Sequence, residues 1–138
     1  MRKMFAVLAT MLVIVLVAQF FLAASGAFDP APREEAFRAH RALGYATVLV
    51  ALVLTIVAAS TRTPGRLVGL TALIAGLGVV QGLIRAVAAA FDDRAGMLVF
   101  GLHAVNALVM FGLALTVARR AWARPAGVAD PAPAARVS

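Results

Sequence analysis

Residues 67–91 read LVGLTALIAGLGVVQGLIRAVAAAF, 25 positions interrupted by only one amide, Gln81, and one charge, Arg85. A helix rises about 1.5 Å per residue, so this stretch covers the hydrocarbon core of a bilayer, about 30 Å thick. Three further runs have the same character, at residues 4–24, about 40–60, and 97–118. The expectation is an all-α integral membrane four-helix bundle, residues 1–120, followed by a disordered tail over 121–138.

Composition agrees. Of 138 residues, 63% are hydrophobic and 14% charged, and mean hydropathy is +0.96. Soluble domains average about 45–50% apolar and about 25% charged. A water-soluble chain of this size could not bury the excess. Cysteine is absent, which excludes disulfides, thiolate nucleophiles, Cys-held zinc, iron–sulfur clusters and covalently attached haem. The motifs of serine hydrolases, zinc proteases and phosphate-binding loops are absent too, and the chemistry expected is binding or redox rather than classical hydrolysis. The net charge of +7 comes without a basic stripe interleaved with aromatics, so no nucleic-acid partner is expected.

Topology accounts for the charge instead. Arg2, Lys3, Arg62, Arg66, Arg119, Arg120, Arg124 and Arg136 collect on one side of the spans. Arg33, Arg38, Arg41, Arg85 and Arg94 fall on the other, offset by Asp29, Glu34, Glu35, Asp92 and Asp93. By the positive-inside rule the first side is cytoplasmic and both termini lie there, in a bacterial plasma membrane. Trp122 sits at one interface, and Phe20, Phe21 and Phe91 line the other. The first run is too long for a signal-peptide core, about 7–15 residues, and is expected to be retained. Thr61-Arg62-Thr63-Pro64-Gly65 makes a tight turn. In the loop over residues 25–32, two prolines precede Arg33-Glu34-Glu35, where acids suit the start of the second helix.

An internal repeat runs at an offset of 63. Ala27-Phe28-Asp29 recurs as Ala90-Phe91-Asp92, Phe37 matches Phe100, and His40 matches His103. Those are the two histidines of the chain. The first and second spans run in the same sense as the third and fourth, so the repeat is a parallel one about an axis along the membrane normal. His40 and His103 are expected at one depth, facing each other across the bundle.

The remaining intramembrane polar groups crowd toward the same end. Gln19 closes the first span, Gln81 and Arg85 share a helix face, Arg41 adjoins His40, and Asn106 lies one turn below His103. Together they describe one pocket opening to the extracytoplasmic side, with Gly44, Gly78, Gly82 and Gly101 giving it room. Each also has a plainer reading: glycines let helices pack, histidines and amides bond across helices, and arginines snorkel to headgroups. Imidazole suits several metals, but zinc wants three or four protein ligands and no third one is available here. Haem needs two axial positions, which His40 and His103 fill, while Arg41 and Arg85 suit its propionates and Gln81 and Asn106 its surroundings.

His40-Arg41-Ala42-Leu43-Gly44 in the second span, with His103 in the fourth, resembles one four-helix half of haem A synthase, over about residues 4–118. The resemblance implies a b-type haem ligated by His40 and His103. A second half and a loop cysteine pair are missing, and the nearest acids, Glu34 and Glu35, precede His40 by six and five residues. Oxidation of a haem methyl group is therefore not expected. Size and layout also resemble an uncharacterised family of small four-helix bacterial membrane proteins. Three functions follow: a haem b protein serving electron transfer or haem handling, with a quinone or protein redox partner; a cofactor-free accessory bundle; and, least supported by its apolar inner half, a small transporter. Gly65 with Gly69, or Gly78 with Gly82, could serve as contact faces between copies in a homo-oligomer.

Overall fold

The computed structural model describes residues 2–91 and 93–123. Within them are α1 (Arg2–Ala27), α2 (Arg33–Ala36), α3 (Arg38–Ser60), α4 (Gly65–Ala89) and α5 (Asp93–Trp122). The expected tail lies outside the described residues from 124 onward, as do Asp92, Arg124 and Arg136. The four long helices have 26, 23, 25 and 30 residues, and each is long and apolar enough to cross a membrane. In hydrocarbon an unpaired backbone group is prohibitive, so even Val- and Ile-rich segments with modest helix propensity close their hydrogen bonds internally.

Punctuation follows the turn chemistry. Pro64 caps α4, and the hydroxyls of Ser60 and Thr61 turn back onto Val57 and Ala58 carbonyls to finish α3. Thr10, Thr47, Thr55 and Thr116 likewise satisfy their hydroxyls on carbonyls four residues earlier. At the opposite end Asp29 accepts the Ala31 N–H at 2.9 Å, shaping the proline loop. The second span does not start as one helix at Arg33. A single turn, α2, stops at Phe37 (φ −99°, ψ 11°) before α3 begins. The fourth span continues through Trp122, two residues into the stretch expected as tail.

The long helices form a square in the order α1, α3, α4, α5, each packing on its two neighbours and not on its diagonal partner. The beginning of α1 and the end of α5 share one end of the bundle, where Lys3 and Trp122 line a common cleft. Each helix buries one seam with steps of three and four residues: Phe5, Ala9, Leu12 and Leu16 on α1; Thr47, Ala51, Leu54 and Ala58 on α3; Leu67, Thr71, Ile74 and Gly78 on α4; Met110, Ala114, Val117 and Ala121 on α5. This is the knobs-into-holes spacing of bundles. Small residues (Ala, Gly and Thr) make up half of it, because lipid supplies no hydrophobic drive between helices and close van der Waals contact has to hold them instead. Large apolar side chains point outward, with Ile14, Leu49, Ile56, Leu98 and Leu108 all more than 60% exposed. A soluble bundle has the reverse arrangement.

Three glycines, Gly26, Gly78 and Gly96, mark close approaches. A Cβ on Gly96 would stand 2.8 Å from the carbonyl oxygens of both Ala88 and Phe91. Backbone oxygens cannot swing aside, so Gly96→Val should unseat the start of α5 from the end of α4. The expected cost is about 1–2 kcal/mol, read as a lowered thermal midpoint in detergent. An unchanged midpoint would show that the first turn of α5 is not held there.

Candidate functional site

Followed toward the end that carries α2, the four seams change chemistry. On α1 the positions 5, 9, 12 and 16 lead to Gln19; on α3 the steps 58, 54, 51 and 47 lead back through Gly44 to His40. On α4 positions 67, 71, 74 and 78 lead to Gln81 and Arg85. On α5 positions 121, 117, 114 and 110 lead back to Asn106 and His103. An alanine-lined half thus becomes a polar half within the same interior.

Histidines from the two diagonal helices meet there, with ring centres 6.2 Å apart and planes at 56°. His40 Nδ1 lies 3.1 Å from the Gln19 carbonyl oxygen. A carbonyl only accepts, so Nδ1 carries the proton and the lone pair of the neutral ring sits on Nε2. His103 Nδ1 is buried without a hydrogen-bond partner. Each histidine is accompanied by the phenylalanine three residues before it. Phe37 meets His40 edge-on at 6.1 Å, and Phe100 stacks on His103 at 5.1 Å and 10°. These contacts hold both ring planes.

The amides act as clamps between helices. Gln81 Nε2 donates to the His103 carbonyl at 3.1 Å, and Asn106 Nδ2 to the Leu77 carbonyl at 2.9 Å, tying α4 to α5 twice. Gln19 Nε2 donates to Thr47 Oγ1 at 3.4 Å, tying α1 to α3. Gln19 Oε1 and Gln81 Oε1 are buried with no donor. Asn106→Leu should remove one α4–α5 clamp and cost about 0.6–2 kcal/mol, the range for hydrogen bonds between membrane helices. Titration of the purified protein with a denaturing detergent measures it, and an unchanged midpoint would show the contact to be idle.

The expected arginine anchors take different positions. The Arg41 guanidinium donates to the Glu34 carbonyl, reaching back to α2. Arg85 is exposed, although it continues the buried seam of α4. The glycines do not all open space. A Cβ on Gly78 would meet Val48 Cγ2 at 2.8 Å, and one on Gly44 would meet Gln19 Nε2 at 3.3 Å, so both are packing positions. A Cβ on Gly82 or Gly101 would meet nothing within 4 Å from a neighbouring element, and both lie on the exposed outside. Thr47 and the backbone carbonyl of Gln19 are site members that polarity along the sequence does not single out.

Four span-length helices, a lipid-type exterior and a polar interior at one end define a multi-pass helical membrane protein with a paired-histidine centre. The chain belongs to the family of unknown function DUF6220, whose model matches residues 19–90. The match takes in Gln19, His40, Arg41, Gln81 and Arg85 and ends before α5. No curated protein matches the chain, nor does any solved structure, and nothing found links it to haem A synthase.

Proposed function

We propose that the chain is a haem b-binding membrane protein, ligating iron through His40 and His103 and serving electron transfer or haem handling. The observation that carries this reading is the meeting of the chain's two histidines at 6.2 Å across the bundle. A metal-bound imidazole characteristically donates its other N–H to a backbone carbonyl, as His40 does to Gln19. The orphaned Nδ1 of His103 leaves that ring with a hydrogen-bonding position to fill when a ligand is present.

Haem held this way would supply one-electron exchange. The protein's own part is to fix the two imidazoles through Gln19, Phe37 and Phe100, to clamp α4 to α5 through Gln81 and Asn106, and to exclude water with apolar walls. Arg41 and Arg85 stand at the end where propionates would emerge. With the excess of Lys and Arg placed inside, the histidine end faces the extracytoplasmic side of a bacterial plasma membrane and both termini are cytoplasmic. A quinone or a protein on that outer side would be the redox partner, and the offset of 63 reflects a parallel duplication of one helical pair.

A second reading, a cofactor-free accessory bundle, is favoured by Val48 filling the space at Gly78 and by the amides serving as helix clamps. Haemin titration of the detergent-purified protein separates the two. One equivalent should bind saturably, with a low-spin spectrum, and the His40→Ala/His103→Ala double variant should show only weak, non-saturating uptake. Equal uptake by both would leave the accessory bundle.

A further inference from the structure

At the end of the bundle opposite the histidines, all four long helices frame a cavity of about 790 Å³. Phe5 and Leu67, both buried, line it from α1 and α4. Arg62 and Arg120 stand at its wall, with Ser60, Thr61, Thr63 and Pro64 from the α3–α4 turn. A smaller cleft of about 350 Å³ adjoins it through Ala121 and adds Lys3 and Trp122.

The local field favours an anion on three counts. Among the described residues, the acids Asp29, Glu34 and Glu35, and the start of α5 at Asp93, lie at the other end. The α4 amino terminus lies at the wall with no acidic residue in its first turn and no side-chain cap. At the α3 carboxyl terminus, which would repel an anion, two carbonyls, those of Val57 and Ala58, already accept from the Ser60 and Thr61 hydroxyls. Two guanidiniums on one cavity suit the bidentate recognition of phosphate oxygens.

We propose that this cavity is a binding site for a phosphate-bearing anion, supplied either by the headgroup of an acidic phospholipid or by soluble phosphate. Arg62 and Arg120 take the phosphate oxygens, and the exposed Trp122 of the adjoining cleft gives an apolar border on which acyl chains can lie. The proposal is independent of what the histidines hold.

The test measures thermal unfolding in phosphatidylcholine nanodiscs with and without phosphatidylglycerol, and in detergent with and without inorganic phosphate. Phosphatidylglycerol should raise the midpoint of the unaltered protein by about 3–6 °C. Arg62→Gln/Arg120→Gln should lose most of that rise. Arg66→Gln/Arg119→Gln, which removes the same charge at positions that do not line the cavity, should keep it. The single variants Arg62→Gln and Arg120→Gln, each expected to lose part of the rise, cover the case of a double variant that does not fold. A rise with inorganic phosphate alone, abolished by the same pair, would support the site and assign it to soluble phosphate. Equal loss in both double variants would mean diffuse attraction to an acidic surface and would overturn the site, as would no rise with either probe.

Discussion

His40→Ala and His103→Ala should each weaken haemin binding by about 100-fold or more, since loss of a ligand exceeds the 10- to 100-fold that even a supporting partner of a ligand is worth. The two imidazoles meet at 6.2 Å from diagonal helices, and on the proposed reading both would hold the haem, so deletion of either would remove one of its two protein donors. His103→Met provides the discriminating control. Methionine still ligates iron but raises the potential relative to a histidine pair, so this variant should bind, with a higher midpoint potential and a changed spectrum. Asn106→Leu should lower stability and leave binding in place, because its amide is spent on the Leu77 carbonyl. Equilibrium titration followed by redox potentiometry checks all four. Undiminished binding in the alanine variants would remove the histidines from the site.

Gly78→Leu is expected to be the most damaging single packing change, at about 3 kcal/mol, the upper end of the range for overpacking. Gly78 lies in the middle of α4, and even a lone Cβ there would stand 2.8 Å from Val48 Cγ2 and 3.7 Å from the Met110 side chain. A leucine has to push α3 or α5 away from α4, in the layer just below the polar half. Gly82, one turn on, is exposed and a Cβ there would meet nothing within 4 Å, so Gly82→Leu should be nearly neutral. Val48→Ala should recover part of the Gly78→Leu loss, and a double-mutant cycle measures the coupling. A neutral Gly78→Leu would show that α3 and α4 are not in close contact at that level.

The four spans were legible because uninterrupted apolar runs about 20 residues long have few other uses. The convergence of His40 and His103 was also suggested, by their equal spacing from the two Ala-Phe-Asp copies. The interior seams were harder to see. With lipid outside and protein inside equally apolar, a hydrophobicity pattern does not separate them, and small residues mark the inside instead. Stepping by threes and fours from Ala9, Leu12 and Leu16 reaches Gln19, and from Ala58, Leu54 and Ala51 reaches Thr47. That register would have drawn Thr47 into the site, where polarity already places Gln19.

Three features were out of reach for particular reasons. The break at Phe37 has no proline or glycine of its own; it falls where the end of α2 comes down on Gly26, whose absent Cβ would stand 2.8 Å from the Ala36 carbonyl. The glycine at 78 reads as open space in a sequence, while the fold presses Val48 into it. The basic cavity draws on residues between 5 and 123, so no local window contains it.

The most direct measurement is a dithionite-reduced minus oxidised absorption spectrum of the protein purified from haem-replete membranes, beside the His40→Ala/His103→Ala variant. A sharp haem b band in the unaltered protein, at about one haem per chain and missing from a folded double variant, is the predicted result. A colourless protein, or the same band in both, would contradict the haem assignment and leave a cofactor-free bundle.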